Sequence, residues 1–172
     1  EETHWESINY YMAHEDVPSK AIVPDSDFPV VYAEKGLIDF KLKQSFYDHL
    51  NDGGIEIISM TGGTRSNVVP DYAEATIISK QTIQSFLDAY NKDFNSKLSF
   101  KQLDEVQYLI VSQCVSAHSS LPETGTNAIA HLINFLDKVD LQIGDSSNFI
   151  RAIARHIGIE YNGENIGCSL ED

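Results

Sequence analysis

The feature that most constrains the fold is the apolar segment from Val106 to Val115, which reads Val-Gln-Tyr-Leu-Ile-Val-Ser-Gln-Cys-Val. Its β-branched and aromatic residues favour an extended strand. Its apolar continuity is typical of a strand in the middle of a sheet. We therefore predict a central strand here, against which the rest of the chain packs.

The other segments with a regular apolar pattern define the fold class. Three of them are strand-like: Val30 to Lys43, Ile55 to Met60 and Ala73 to Lys80. Four have the three- and four-residue apolar spacing of amphipathic helices: Thr3 to His14, Gln81 to Asn91, about Asn127 to Val139 and about Ser146 to Ile157. This order predicts an α+β fold, an antiparallel sheet with helices packed on one face. Thr3 and Glu6 have the spacing of a capping box.

The composition limits the partners of the chain. It has 12 Lys and Arg against 26 Asp and Glu, for a net charge of −14, and such a surface repels phosphate groups. Apolar runs such as Tyr108 to Val111 are far shorter than the roughly 18 residues of a membrane-spanning helix. We therefore expect neither nucleic acid nor membrane as a partner.

The cysteines and the first residues bear on localisation. Cys114 and Cys168 are too few for a disulfide framework and have no C-x-x-C spacing, so a reducing, cytoplasmic setting is expected. The first residues are acidic and polar, unlike a secretory leader. Because no initiating Met is present, we expect the chain to begin inside a longer protein.

Local motifs for metal or phosphate binding are weak. No two histidines have the spacing of a zinc-binding helix. A calcium loop that opens at Asp25 would need Gly and Glu where Val30 and Gly36 stand. Gly53-Gly54 and Gly62-Gly63-Thr64 lack the spacing of phosphate loops, so turns are the favoured interpretation.

Cys114 and His118 raise the question of a catalytic thiol. Residues four apart in a strand are separated by roughly 13 Å, which favours a packed cysteine instead. His118 follows the predicted central strand and enters a loop punctuated by Pro122 and Gly125. Such a loop can present a functional side chain. A surface imidazole without a role is the equal alternative.

Four segments, in the same order, resemble motifs of one enzyme family. The fullest runs from Ala117 to Ala128, Ala-His-Ser-Ser-Leu-Pro-Glu-Thr-Gly-Thr-Asn-Ala, and resembles A-H-x-s-x-P-e-x-G-x-N-A. Glu1 to Thr3 resembles G-T-x-E-E-T, Pro24 to Gly36 resembles P-D-x-x-F-P…a-E-K-G, and Gly62 to Asp71 resembles G-G-x-x-x-N-x-V-P-D. The chain thus resembles the co-catalytic di-zinc metallopeptidases related to aminoacylase and glutamate carboxypeptidase. The segment from Pro24 to Gly36 is the most specific, because it is similar to bacterial dipeptidases of the Xaa-His, carnosine or dipeptidase V type.

The resemblance implies a domain division and a set of site residues. Residues 1–30 would be an edge of the catalytic domain, and residues 31–172 a ferredoxin-like lid, or dimerisation, domain that is incomplete at its C-terminal end. Glu1 matches the general base that activates the metal-bridging water, and Glu2 and Asp25 match metal-ligating carboxylates. His118 matches the lid histidine that stabilises the oxyanion. Asn67 matches a residue of the same substrate-facing region, with a turn residue as the equal alternative.

The departures from the family pattern limit what this chain can do alone. The H-x-D block, the bridging Asp and the late histidine ligand have no counterpart, and Gln113-Cys114-Val115 replaces the usual Gly-Lys-Ser/Ala. The longer parent is expected to be a cytoplasmic dipeptidase with two zinc ions, or manganese or cobalt. This chain alone is expected to bind no metal and to be inactive. Its expected partners are the dipeptide substrate and the remainder of the catalytic domain.

Two non-catalytic functions remain open from the sequence. Lids of this superfamily pair edge to edge, so the segment could be a dimerisation or interaction module that forms a homodimer. A free-standing acidic domain that binds sugars or peptides is the third possibility.

Overall fold

The computed structural model describes residues 5–22, 31–33, 36, 41–45 and 53–168. The chain divides into two units, Glu1–Leu37 and Ile38–Asp172. In the first unit, helix α1 spans Glu6–His14 and is preceded by Trp5 in the left-handed conformation, with φ 55°. The predicted helix is thus confirmed, but it begins after Thr3, which lies outside the described residues.

The predicted strand from Val30 to Lys43 is wrong where the structure can test it. Residues 31–33, 36 and 41–43 have no strand conformation, and the other residues of that segment lie outside the described ranges. Its alternating pattern alone does not make a strand, because a strand also needs a partner to satisfy its backbone hydrogen bonds.

The described residues of the second unit form the sheet and three α-helices. Its elements are β1 Glu56–Gly62, β2 Val68–Val69, β3 Tyr72–Ile78, α2 Gln84–Phe94, β4 Leu98–Gln102, β5 Gln107–Gln113, β6 Ala117–His118, α3 Ala128–Lys138 and α4 Asp145–His156. Two short 3₁₀ helices span Pro122–Thr124 and Glu164–Ile166. The four longer strands form an antiparallel sheet in the order β1-β3-β5-β4. The predicted α+β class is confirmed.

The central position of the strongest predicted strand is also confirmed. β5 lies between β3 and β4, and the predicted strands at Ile55 to Met60 and Ala73 to Lys80 are β1 and β3. β4 was not predicted from the sequence. β6 was not predicted either: His118 belongs to this separate short strand and does not end the central one.

The strand order resembles a ferredoxin-like arrangement with one change. The segment β3-α2-β4-β5-α3 follows the first five elements of a β-α-β-β-α-β unit. The edge position beside β3, where the last strand of such a unit would pair, is taken by β1, which comes earlier in the chain.

The core lies between one face of the sheet and the helices. Alternate residues of β3 point inward, and Ala73, Ala75 and Ile77 are all buried. The small side chains of Ala73 and Ala75 leave room for α3. The core residues of α3 are Ala128, Leu132, Ile133, Phe135 and Leu136. Core residues from α2, α3 and α4 join the same cluster, so these three helices cover the same face.

Helix α3 begins where its sequence indicates. Asn127 has extended backbone angles, and its side-chain oxygen accepts the backbone N–H of Ala130 at 3.1 Å. This is the hydrogen bond of an N-cap, which satisfies one of the free donors of the first turn. The last helical residue is Lys138, so the predicted range of Asn127 to Val139 is correct to within one residue at each end.

Candidate functional site

A two-stranded ribbon brings two of the predicted site residues together. β2 and β6 pair in antiparallel register, with Val68 opposite His118 and Val69 opposite Ala117. Beyond this pair, the backbone N–H of Ser119 donates to the carbonyl oxygen of Asn67 at 3.0 Å. Asn67 and His118, which lie in separate sequence motifs, are therefore neighbours at the end of the ribbon.

Further backbone hydrogen bonds hold the two motifs against each other. The N–H of Cys114 donates to the carbonyl oxygen of Asp71 at 2.7 Å, and the N–H of Ala128 donates to that of Pro70 at 2.8 Å. The loop that carries His118 is thus tied to the β2–β3 turn before and after the histidine. A loop held at both ends can place a side chain precisely.

Gly125 is needed for this close approach. A Cβ at this position would lie 2.7 Å from the Cβ of Ala117 and 3.0 Å from the carbonyl oxygen of Val115. The N–H of Thr126 donates to that same oxygen at 2.8 Å. Any larger residue at position 125 would push the loop away from the strand that carries His118.

The imidazole of His118 is exposed, and its described hydrogen bonds are both made at one nitrogen. Nδ1 lies 2.8 Å from the hydroxyl oxygen of Ser120 and 3.2 Å from its backbone nitrogen. Within the described residues, no hydrogen bond is made at Nε2 of this ring. An exposed ring of this kind can present Nε2 to a ligand, whereas a ring packed in the core could not.

An open cleft of about 1410 Å³ lies beside the ribbon. Ser119, the neighbour of His118, is in its wall, together with Lys41 and Arg65. Glu160 adds a negative charge to the cleft wall. Its carboxylate already accepts backbone N–H groups within its own loop, from Asn162 at 2.9 Å and Gly163 at 2.8 Å. The cleft is large enough for a short peptide.

A half-buried polar cluster lies between α2 and α3. The Tyr90 hydroxyl is 3.2 Å from Nδ1 of His131 and accepts a hydrogen bond from the Asn134 amide at 3.1 Å. Burial raises the pKa of Tyr90 to about 12 and lowers the pKa of His131. Both groups are therefore neutral near pH 7, as expected for hydrogen-bonded groups in a partly apolar setting.

Cys114 has the surroundings of a packed cysteine. It is half-buried, its Sγ lies 3.7 Å from the hydroxyl oxygen of Ser112, and burial raises the pKa of its thiol. A raised pKa disfavours the thiolate that a nucleophile requires. The structure therefore supports the packing interpretation over a catalytic thiol.

The other three predicted site residues are all carboxylates. Glu1, Glu2 and Asp25 lie outside the described residues. Over the ranges that the structure does describe, no group of three or more His, Cys, Asp or Glu side chains could hold a metal ion. The same ranges contain no helix long and apolar enough to cross a membrane.

The contact that sequence reasoning missed is the one between Ser120 and His118. Both residues belong to the Ala117 to Ala128 motif, so the residue types were visible. The hydrogen bonds to Nδ1, however, depend on the way the chain turns after β6, with the N–H of Leu121 donating to the carbonyl oxygen of His118 at 3.0 Å. No local pattern in the sequence specifies that turn.

The structure is thus an α+β unit with an exposed histidine on a two-stranded ribbon. The ribbon is held by backbone hydrogen bonds and lies beside an open cleft. No family model matches the chain. Its whole length is 27% identical to a protein named putative dipeptidase YtjP from Bacillus subtilis, of which it covers 37%. It is 29% identical, again over its whole length, to a Beta-Ala-Xaa dipeptidase from Lactobacillus delbrueckii subsp. lactis, of which it covers 36%.

A third relative gives the same result. The chain is 26% identical over 99% of its length to a protein named putative dipeptidase SH1171 from Staphylococcus haemolyticus, of which it covers 37%. The chain therefore spans little more than a third of the length of the curated relatives it matches. The similarity to bacterial dipeptidases that the motifs predicted is confirmed.

Proposed function

We propose that this chain is part of a dipeptidase that hydrolyses short peptides, in which Nε2 of His118 donates a hydrogen bond to the oxygen of the scissile carbonyl. The observation that carries the proposal is the exposed His118 ring, which makes hydrogen bonds only at Nδ1 within the described residues. The next residue, Ser119, is hydrogen-bonded to the backbone of Asn67. The similarity to proteins named dipeptidases over the whole chain supports it.

The proposed role follows from the charge that develops during amide hydrolysis. When a nucleophile adds to the carbonyl, its oxygen becomes an oxyanion, and a donor already aimed at that oxygen stabilises the transition state more than the substrate. An imidazole held on a braced loop loses little freedom when it makes this bond. Asn67 belongs to the same proposed region and would act beside His118.

The cleft supports a small peptide as the substrate. Its wall carries Lys41 and Arg65, whose positive charge suits the free carboxylate of a dipeptide. Apolar wall residues such as Val69 and Ile129 suit an aliphatic side chain. We propose dipeptides of the Xaa-His type or a broad range of dipeptides, and this preference is to be tested with β-alanyl and α-aminoacyl dipeptides.

The metal part of the proposal rests on the resemblance. In it, Glu2 and Asp25 would hold zinc, with manganese or cobalt as alternatives, and Glu1 would take the proton of the attacking water. Zinc, when bound, supplies polarisation of the carbonyl and activation of that water. Because the H-x-D block, the bridging Asp and the late histidine ligand have no counterpart in this sequence, we propose that the remainder of the protein supplies them and that the chain by itself is inactive.

The test uses the longer protein that contains this chain. His118→Ala is expected to lower kcat by roughly two to three orders of magnitude, as for other oxyanion donors. Its thermal stability should not change, because the ring is exposed. His14→Ala, which removes an exposed ring on α1, is the matched control and should retain turnover. Full turnover of His118→Ala would overturn the proposed role.

A second measurement tests the metal requirement. Treatment of the longer protein with a chelator is expected to abolish hydrolysis, and added zinc, manganese or cobalt should restore it. Hydrolysis that survives complete removal of metal, verified by elemental analysis, would exclude a metallopeptidase.

The position of β1 favours one other candidate, a dimerisation module. β1 is at the edge of the described sheet, and such an edge can pair with a second copy. Sedimentation velocity over a range of concentrations tests the dimerisation module, because a monomer at high concentration would exclude it. Association together with loss of hydrolysis in His118→Ala would show that both functions are present.

A further inference from the structure

We propose that Ser120 is a positioning residue, which fixes His118 in the neutral tautomer that carries its proton on Nε2 and holds the ring in one orientation. This inference rests on the proposed function for its catalytic consequence. The tautomer itself follows from the contacts of the described residues and can be tested separately.

The backbone N–H of Ser120 determines whether Nδ1 of His118 can carry a hydrogen atom. The backbone N–H of Ser120 can only donate, and its nitrogen lies 3.2 Å from Nδ1 of His118. Nδ1 must therefore present its lone pair, because an N–H at this position would place two hydrogens face to face. In a neutral imidazole the single proton is then on Nε2.

The second step concerns the hydroxyl group of Ser120. Its oxygen is 2.8 Å from the same Nδ1. A hydroxyl can donate or accept, but an Nδ1 that accepts from the backbone N–H can be paired only with a hydroxyl that donates. Both donors of Ser120 thus favour the same tautomer.

The third step is that the backbone around Ser120 is already held in place. His118 is paired with Val68 in the ribbon, and the N–H of Ser119 donates to the carbonyl oxygen of Asn67. The N–H of Leu121 donates to the carbonyl oxygen of His118 at 3.0 Å. Ser120 lies between these bonds, so its N–H is aimed at Nδ1 without a further loss of chain freedom.

The tautomer of His118 determines whether its exposed nitrogen can stabilise an oxyanion. In the tautomer with the proton on Nε2, the exposed nitrogen is a donor and can stabilise an oxyanion. In the other tautomer, the same nitrogen presents a lone pair and would repel it. Loss of the Ser120 hydroxyl would remove the shorter of the two contacts, at 2.8 Å, and leave only the backbone N–H at 3.2 Å. A ring held by this one longer contact can rotate away from it and populate the second tautomer, so kcat would fall while substrate binding would change little.

The test of the tautomer uses nitrogen NMR of the full 172-residue chain labelled at histidine. Spectra are recorded at about pH 8.5, well above the ordinary histidine pKa, and His118→Ala identifies the signals of His118. The expected result is a His118 with the proton on Nε2 only in the unmodified chain. In Ser120→Ala, the two nitrogen shifts should move towards each other as the second tautomer becomes populated.

Two variants make the result specific. Ser120→Thr keeps the hydroxyl and the N–H and should retain the shifts of the unmodified chain. Ser116→Ala removes an exposed hydroxyl two positions before His118 and should have no effect. A mixture of tautomers in the unmodified chain would refute the tautomer assignment. Unchanged shifts in Ser120→Ala with a native circular dichroism spectrum would refute the positioning role of the hydroxyl, because the backbone N–H alone would then suffice.

Kinetics of the longer protein separate this inference from the proposed function. Ser120→Ala is expected to lower kcat about three- to tenfold, the size of one neutral hydrogen bond, with KM nearly unchanged. Ser120→Thr should restore kcat. If His118→Ala is inactive but Ser120→Ala has normal kcat, the positioning role is wrong and the proposed function stands. If His118→Ala is fully active, the proposed function fails, whatever the tautomer.

Discussion

The backbone N–H of Ser119 donates to the carbonyl oxygen of Asn67 at 3.0 Å, and this bond lies next to the pair formed by Val68 and His118. It joins the end of the loop between β1 and β2 to the segment that follows β6. Two motifs that are far apart in the chain are thereby held at backbone hydrogen-bond distance.

Asn67→Ala tests whether this neighbour takes part in hydrolysis. In the longer protein we expect kcat to fall about 100-fold, the lower part of the range for one oxyanion donor. The double variant with His118→Ala should be little worse than His118→Ala alone, because residues that act as a unit are not additive. A lower melting temperature with normal kcat would show that Asn67 is only a turn residue.

Gly62→Ala tests the packing of α3 on the sheet. A Cβ at Gly62 would lie 2.8 Å from the Cβ of Ala73 and 2.8 Å from Cγ1 of Ile129. We expect a loss of about 1–3 kcal/mol in the free energy of unfolding, measured with urea, because overpacking forces neighbours apart. Gly36→Ala is the control, since its Cβ would have no neighbour within 4 Å. Equal stability of the two variants would contradict the described packing.

The pH dependence of stability tests the His131 cluster. Burial lowers the pKa of His131 below 6.5, so the unfolded chain binds the proton more tightly than the folded one. The contribution of His131 is therefore complete above about pH 6.5 and is lost as the pH falls towards its folded pKa. Urea unfolding at about pH 7.5 and about pH 5.5 measures this loss. His131→Gln should reduce the difference between the two pH values, and an unchanged difference would contradict the assignment.

The reactivity of the two thiols tests the interpretation of Cys114. Because burial raises its pKa, we expect a thiol reagent at neutral pH to modify Cys114 more slowly than the exposed Cys168. Mass spectrometry of digests identifies the modified residue, and Cys168→Ser isolates the slow reaction. Faster modification of Cys114 would indicate an activated thiol and would reopen the question of a nucleophile.

The helices show how far local patterns could predict the fold. The range predicted for α3 agrees with Ala128–Lys138 because Asn127 is an N-cap and the apolar residues have helical spacing. A helix forms its hydrogen bonds within its own segment, so a window of sequence contains most of what determines it. α4 also begins and ends within one residue of its predicted range. α2 lies three residues further along the chain than predicted, and no side-chain hydrogen bond caps its first turn.

The strands show where local patterns fail. β4 was missed because only Leu98 of Leu98–Gln102 is buried, so the segment has little apolar signal. The segment from Val30 to Lys43 has an alternating pattern, yet its described residues form no strand. Both cases have one cause: the hydrogen bonds of a strand are made with a partner elsewhere in the chain.

The sequence by itself determined the α+β class, the central strand, the helices of the sheet unit and the motifs that resemble dipeptidases, because these depend on residue types and spacings within short segments. The tertiary structure decided that Asn67 and His118 are neighbours, that Ser120 contacts Nδ1 of His118, and that β1 takes the edge beside β3. These relationships are hydrogen bonds and packing contacts whose geometry is specified only when the whole chain has folded.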